Sequence, residues 1–336
     1  MNWLHVTNGD GASDLIKHST VPGDVLPWRD VMHHGPFPAD KSLEALAEIR
    51  GGYLAGEILD RREVIVGFTL RDAHFQGAGR YDELVLWFEH DLLDQLQLVQ
   101  ILDLISKLGL RDETTVSLIC IGEYPGIEPF RGLGQLTLEQ AAGLMDQRRT
   151  VSESQIALAR SAWAAFCGDD PLALQNFLLK ADFSPLPYLK PCLERQLQEF
   201  PWISDGLTRS ERQFLQLVAD GTEDPARLFM RNMDFETHLF MGDWQSFVIL
   251  ERLCMAEFPL LTCQPTPFRY PPKDEIELED FRAQRLLLSD HGRAVLAGQK
   301  RAGIKRDDWM GGVHLSGPEA AWQWDPDGQR LIRAGI

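Results

Sequence analysis

The chain has 336 residues, 44% of them hydrophobic and 25% charged, with a formal net charge of −17. This is globular composition, long enough for two or three compact units. The acidic balance argues against nucleic acid and anionic membrane as partners, since both require clustered Lys and Arg, and no apolar run reaches the roughly 20 residues that span a bilayer. In chain order, "NWLHVT" (2–7), "DVLPW" (24–28), "ELVLWF" (83–88) and "TTVSLICIG" (114–122) predict strands. Helical patterns at 12–19, 40–58, 62–75 and 92–108 lie between them. Apolar strands alternating with helices predict a parallel sheet covered on both faces. Pro27 suits an edge or terminal position. Residues 137–200 turn helical, opened by capping boxes at "TLEQ" (137–140) and "SESQ" (152–155). A third capping box, Thr208 with Glu211, opens a run of helices at 208–219, 224–233 and 242–255. Strands at 259–263 and 284–288 and a helix from Ser289 follow, the layout of a winged helix. "GGVHL", "AWQW" and "RLIRA" predict a small antiparallel appendage.

The fold class expected is therefore α/β: a Rossmann-like parallel-sheet N-terminal domain, a helical middle segment and a winged-helix-like α+β C-terminal domain. The boundaries read as 1–135 for the α/β ligand-binding domain and 136–203 for a helical connector. The winged-helix-like domain takes 204–300 and the β appendage 301–336. Cys120, Cys167, Cys192, Cys254 and Cys263 form no C-x-x-C pair, which fits reduced thiols rather than a disulfide framework or structural zinc. "MNWLHVTNGDG" carries neither the basic nor the apolar region of a signal peptide, so a cytoplasmic protein is expected.

Ligands of open parallel α/β sheets bind beyond the carboxyl ends of the strands. Polar residues gather there: Asn8, Gly9, Asp10 and Gly11 after the first strand, and Arg29, Asp30, His33 and His34 after the second. Glu89, His90 and Asp91 follow the third, and Glu123 and Tyr124 the fourth. "TNGDGASD" (7–14) has two readings. Its glycine-rich turn could offer backbone N–H groups to an anion, or Ser13 or Asp10 could simply cap a helix. It is neither a P-loop nor a dinucleotide fingerprint. His90, with Glu89 and Asp91 beside it, has the setting of a general acid–base, and His34 sits in a rigid Gly-Pro turn. Asp91 could equally cap the helix beginning at Leu92. His34, His90, Asp10 and Asp91 have no compact ligand spacing, so no metal site is assigned, and no motif names a cofactor.

"HVTNGDGASDLIK", "WRDVMHHGPFP" and "LWFEHDLLDQLQLVQIL", in that order over about residues 3–135, resemble the bacterial family known as domain of unknown function 1835. The resemblance implies that Gly9, Asp10, Trp28, Gly35, Pro36, Trp87, Asp91 and Gln95 occupy its motif positions, and it carries no established reaction. Gly11 stands where a hydroxyl residue commonly follows the Gly-Asp pair, which weakens any expectation of a nucleophile or phosphate-binding hydroxyl there.

The functional expectation is a hydrolase or group transferase for a small polar, phosphorylated or nucleotide-like substrate. Catalytic roles fall to His90, Asp91 and His34. Substrate contacts fall to Asn8, Gly9, Asp10, Gly11, Arg29, Glu89 and Gln95. The alternative is a non-catalytic ligand sensor or adaptor using the C-terminal unit for protein contact. Residues 201–336 hold 16 Lys and Arg against 21 Asp and Glu, a net of −5, which favours protein packing or homodimerisation there over DNA reading.

Overall fold

The computed structural model describes residues 2–55, 60–237, 239–265, 267–270, 275–317 and 320–334. The last residues of the predicted 40–58 helix lie outside that set. The chain divides into two compact units, Met1–Leu193 with Trp309–Val313, and Glu194–Asp308 with His314–Ile336.

The first unit is α/β. Its elements run β1 (Trp3–Thr7), α1 (Asp10–His18), β2 (Asp24–Pro27), β3 (Gly35–Pro36), α2 (Leu43–Leu54), α3 (Arg61–Gln76), β4 (Glu83–Glu89), α4 (Leu92–Ile105) and β5 (Thr115–Ile121). Then come α5 (Leu138–Gly143), β6 (Arg149–Thr150), α6 (Glu153–Cys167), α7 (Pro171–Lys180) and α8 (Leu189–Leu197), inside which the unit boundary falls. The sheet order is β2-β1-β4-β5-β6, parallel except for β6. Pro27 ends the edge strand β2, where its missing N–H costs no ladder bond. Val85, Trp87 and Ile119 pack with Ala12 and Ile16 of α1 on one face. Alternation turns Leu84, Leu86 and Phe88 to the other face, which buried α4 covers.

This order has a consequence for function. From β1 the chain passes outward to β2, and from β4 it passes outward the opposite way to β5. Helices α1 and α4 therefore lie on opposite faces, and the carboxyl ends of β1 and β4 border the crevice where the winding reverses. The register Thr7↔Trp87 puts Asn8, Asp10 and His90 at the same sheet edge.

The second unit begins with the rest of α8 and runs α9 (Arg209–Ala219), α10 (Pro225–Asn232), α11 (Asp243–Met255), β7 (Leu261–Gln264), α12 (Glu275–Ala283), β8 (Arg285–Leu288) and α13 (Asp290–Leu296). Strands β7 and β8 pair antiparallel, with α12 between them in sequence. Phe214, Leu217, Leu250, Leu253 and Leu286 form the heart of its core. Strand β9 (Arg306–Gly311) crosses the unit boundary, as does β10 (Val313–Gly317), and β11 (Trp322–Asp325) pairs antiparallel with β12 (Arg330–Arg333). All three capping boxes form at Thr137, Ser152 and Thr208. Among the described residues no helix is long and apolar enough to cross a membrane.

Candidate functional site

The loop from β4 into α4 is two residues long, His90 and Asp91. Asp91 caps α4, its Oδ1 accepting from the Asp94 N–H at 2.9 Å. Asp94, one turn in, reaches back to accept the Glu89 N–H at 2.6 Å. From the end of β1, the Asn8 Nδ2 donates to Glu89 Oε1 at 3.2 Å and to both Asp94 oxygens at 2.9 and 3.1 Å. Glu89 Oε1 also accepts the Leu133 N–H at 2.7 Å. The glutamines of α4 tie the strand ends together: Gln95 Nε2 donates to the Glu89 carbonyl, and Gln97 Nε2 to the carbonyls of Asn8, Trp28 and Asp30.

Ligand atoms of Glu89, Asp91 and Asp94 all lie within 4.8 Å of one another. The three side chains are buried, Asp94 completely. Among the described residues no Lys or Arg forms a salt bridge with them that offsets their charge at close range. Burial, reinforced by the Glu89 charge, pushes the Asp91 carboxyl up to about 8. Burial and then the charges of Asp91 and Glu89 hold Asp94 well above the usual carboxylate range. Burial raises Glu89 too, against the opposing pull of the Leu133 N–H and Asn8. Such a cluster can be satisfied in two ways near neutral pH. It can keep protons, or its hard oxygen donors can take a divalent cation of the Mg²⁺ or Ca²⁺ type.

Sequence reasoning named Glu89, Asp91 and Gln95 but gave no role to Asp94, the most buried of the acids. The signal was available in the Glu-x-Asp-x-x-Asp spacing across a strand-to-helix junction. Instead of lining an open cleft, Glu89, His90 and Asp91 lie beneath neighbouring segments. The His90 ring stands 6.1 Å from Phe130 and 6.0 Å from Tyr188, and its carbonyl accepts from the Cys192 thiol at 3.1 Å. Gly132 (φ +141°) presses so close to the Glu89 carboxylate that an added Cβ would collide with it. Gly132→Ala is therefore expected to displace Glu89 and lower the melting temperature. A melting curve identical to wild type would show that the contact is not needed.

The other residues take separate positions. Asp10 and Arg29 form an exposed ion pair at 2.6 Å, which holds the Asp10 carboxyl below its ordinary range. Neither is bonded to the carboxylate cluster. Helix α1 has no side-chain cap, so neither Asp10 nor Ser13 plays the capping part open to them in the sequence; Ser13 Oγ pairs with Thr7 Oγ1 at 2.7 Å. Nothing packs within 4 Å of a Cβ placed at Gly9 or Gly11. His34 Nε2 meets the Tyr53 hydroxyl at 3.1 Å, and its carbonyl accepts from Arg50, whose guanidinium is clamped on buried Asp30.

Comparison with family models and with curated proteins gives no match to this chain.

Proposed function

We propose that the first unit is an enzyme, a hydrolase or group transferase, for a small polar substrate of phosphorylated or nucleotide-like character. It would work at the carboxyl edge of a Rossmann-like sheet. The observation that carries this reading is the buried Glu89–Asp91–Asp94 cluster at the β1/β4 reversal point. Capping α4 needs one carboxylate; gathering three buried ones within 4.8 Å opposes folding, and such arrangements belong to sites where protons or metal ions are handled.

Asp91, with its carboxyl near 8, would hold a transferable proton close to neutrality, and the Glu89 carboxylate would be a separate, neighbouring proton acceptor. The same oxygens fit a divalent cation, which when bound would polarise a phosphoryl oxygen. The uncapped amides at Gly9–Gly11, at the start of α1, would meet an anionic group, with Arg29 beside them. His90 would wall the site. The blocks resembling domain of unknown function 1835 contribute both Asn8 and the Glu89–Gln95 segment, which supports one site common to that family.

The test is a panel of nucleotides and phosphorylated sugars, assayed with and without MgCl₂. Turnover by wild type, reduced about 100-fold or more in Asp94→Asn, is the expected result. A folded wild type that turns over none of them would count against the enzyme. The second reading, a ligand-sensing adaptor, is favoured by exposed Met230, Phe235, Met255 and Phe258 on the second unit. There the winged-helix-like arrangement would serve protein contact, including contact with a second copy.

A further inference from the structure

Strand β5 is only half covered on its outer side. Thr115 N–H donates to the Asp82 carbonyl toward β4, whereas the Val116 carbonyl accepts from Val151 on the β6 side. Alternation along a regular strand therefore sends the N–H and C=O of Val116, Leu118 and Cys120 outward. Leu118 lies opposite Arg149, where β6 begins, and the Tyr188 ring and hydroxyl pack closely against Gly122. Between them the peptide groups of Cys120 face a pocket of about 250 Å³. Its lining is mostly apolar and includes Gln95, Cys120, Ile121, Arg149, Leu186 and Tyr188. Pockets for drug-sized molecules measure about 300–1,000 Å³, so this one suits a single ring system.

We propose that this pocket seats a nucleobase-like heterocycle, which pairs its adjacent acceptor and donor with the Cys120 N–H and C=O and lies against Tyr188. A strand-edge donor and acceptor side by side are what an amide-like ring edge matches, and a mostly apolar lining with Tyr188 favours a ring over a sugar. The inference rests on the nucleotide-like reading above and specifies it. Gln95 lines the pocket and donates to the Glu89 carbonyl, so the pocket neighbours the strand end that carries the carboxylates.

The experiment is a fluorescence titration of 2-aminopurine ribonucleoside with the full-length chain. Its ring carries a nitrogen acceptor beside an amino donor. Saturable quenching, competed by adenosine, is expected. Purine ribonucleoside, which lacks the amino donor, should compete about tenfold more weakly, because the Cys120 carbonyl is left unpaired. Gln147→Trp alters an exposed pocket residue away from the carboxylates and should weaken binding about tenfold or more with an unchanged circular dichroism melt. Absence of saturable quenching, or quenching indifferent to Gln147→Trp, would overturn the pocket. The two readings fail separately. Gln147-dependent binding without turnover of any phosphorylated form supports the pocket and removes the enzyme, whereas turnover of a phosphorylated sugar without nucleoside binding removes the pocket alone.

Discussion

Asp91→Asn is expected to make the protein more stable at pH 8, by on the order of 5–10 °C in melting temperature. The substitution keeps a good helix cap for α4 while removing a buried acid. In the unfolded chain Asp91 loses its proton near pH 4, whereas in the fold it keeps it until about 8. Between those values the unfolded state sheds a proton that the native state retains, so each rise in pH favours unfolding. The stability tied to protonated Asp91 is fully present below about pH 4 and gone above about 8, at most about 5 kcal/mol across the window. Wild type should therefore melt progressively lower from pH 5 to 8, and Asp91→Asn should flatten that decline. MgCl₂ should flatten it as well if the cluster takes the cation in place of protons. Differential scanning calorimetry at several pH values reads all three. A variant whose melting temperature falls with pH as steeply as wild type would remove Asp91 as the titrating group.

Glu211→Ala should be among the most damaging single changes in the second unit. Glu211 is fully buried, and Arg306 grips both its oxygens at 2.6 and 2.7 Å. Burial pushes its carboxyl up, but the charge and hydrogen bonds of Arg306, joined by Arg252, outweigh that and hold it below its ordinary value. Its Oε2 also closes the capping box on the Thr208 N–H at 2.9 Å. Removing the carboxylate leaves the buried guanidinium with only the more distant Asp308 carboxylate, at 3.6 Å, and opens the cap, a loss of about 3 kcal/mol. Replacing both partners, Glu211→Leu with Arg306→Met, should cost clearly less, because no charge is left unpaired. Urea unfolding of the two variants measures the difference. Equal destabilisation would mean that the ion pair is not what holds α9.

The capping box at Thr208 and Glu211 was legible in the sequence because it is local. Arg306, 95 residues further on, was not. The same division runs through the fold. Four apolar runs announced β1, β2, β4 and β5, since a strand buried on both faces leaves a continuous apolar signature. The two-residue β3 pairs through Gly35↔Met310 and Pro36↔Gly311, too short for any periodicity and with its partner far along the chain. Helix α12 interrupts what read as a simple two-stranded wing. At the site, the strand-end positions of Glu89, His90 and Asp91 followed from alternating β and α segments. Their burial did not, because the covering groups, Gly132–Leu133, Phe130 and Tyr188, come from stretches that read as connectors. Asp94 drew no role because a polar residue in a first helical turn ordinarily faces water, whereas here it turns back onto the Glu89 backbone.

The Glu89–Asp91–Asp94 cluster is expected to hold a proton near neutrality at the crevice between β1 and β4. The most direct measurement is a carbon-13 NMR titration of the Asp91 side-chain carboxyl in the metal-free protein. An apparent midpoint near 8, shifted by Asp94→Asn, is the predicted result. A midpoint near 4, the ordinary value for an aspartate, would mean that the cluster holds no proton near neutrality at Asp91.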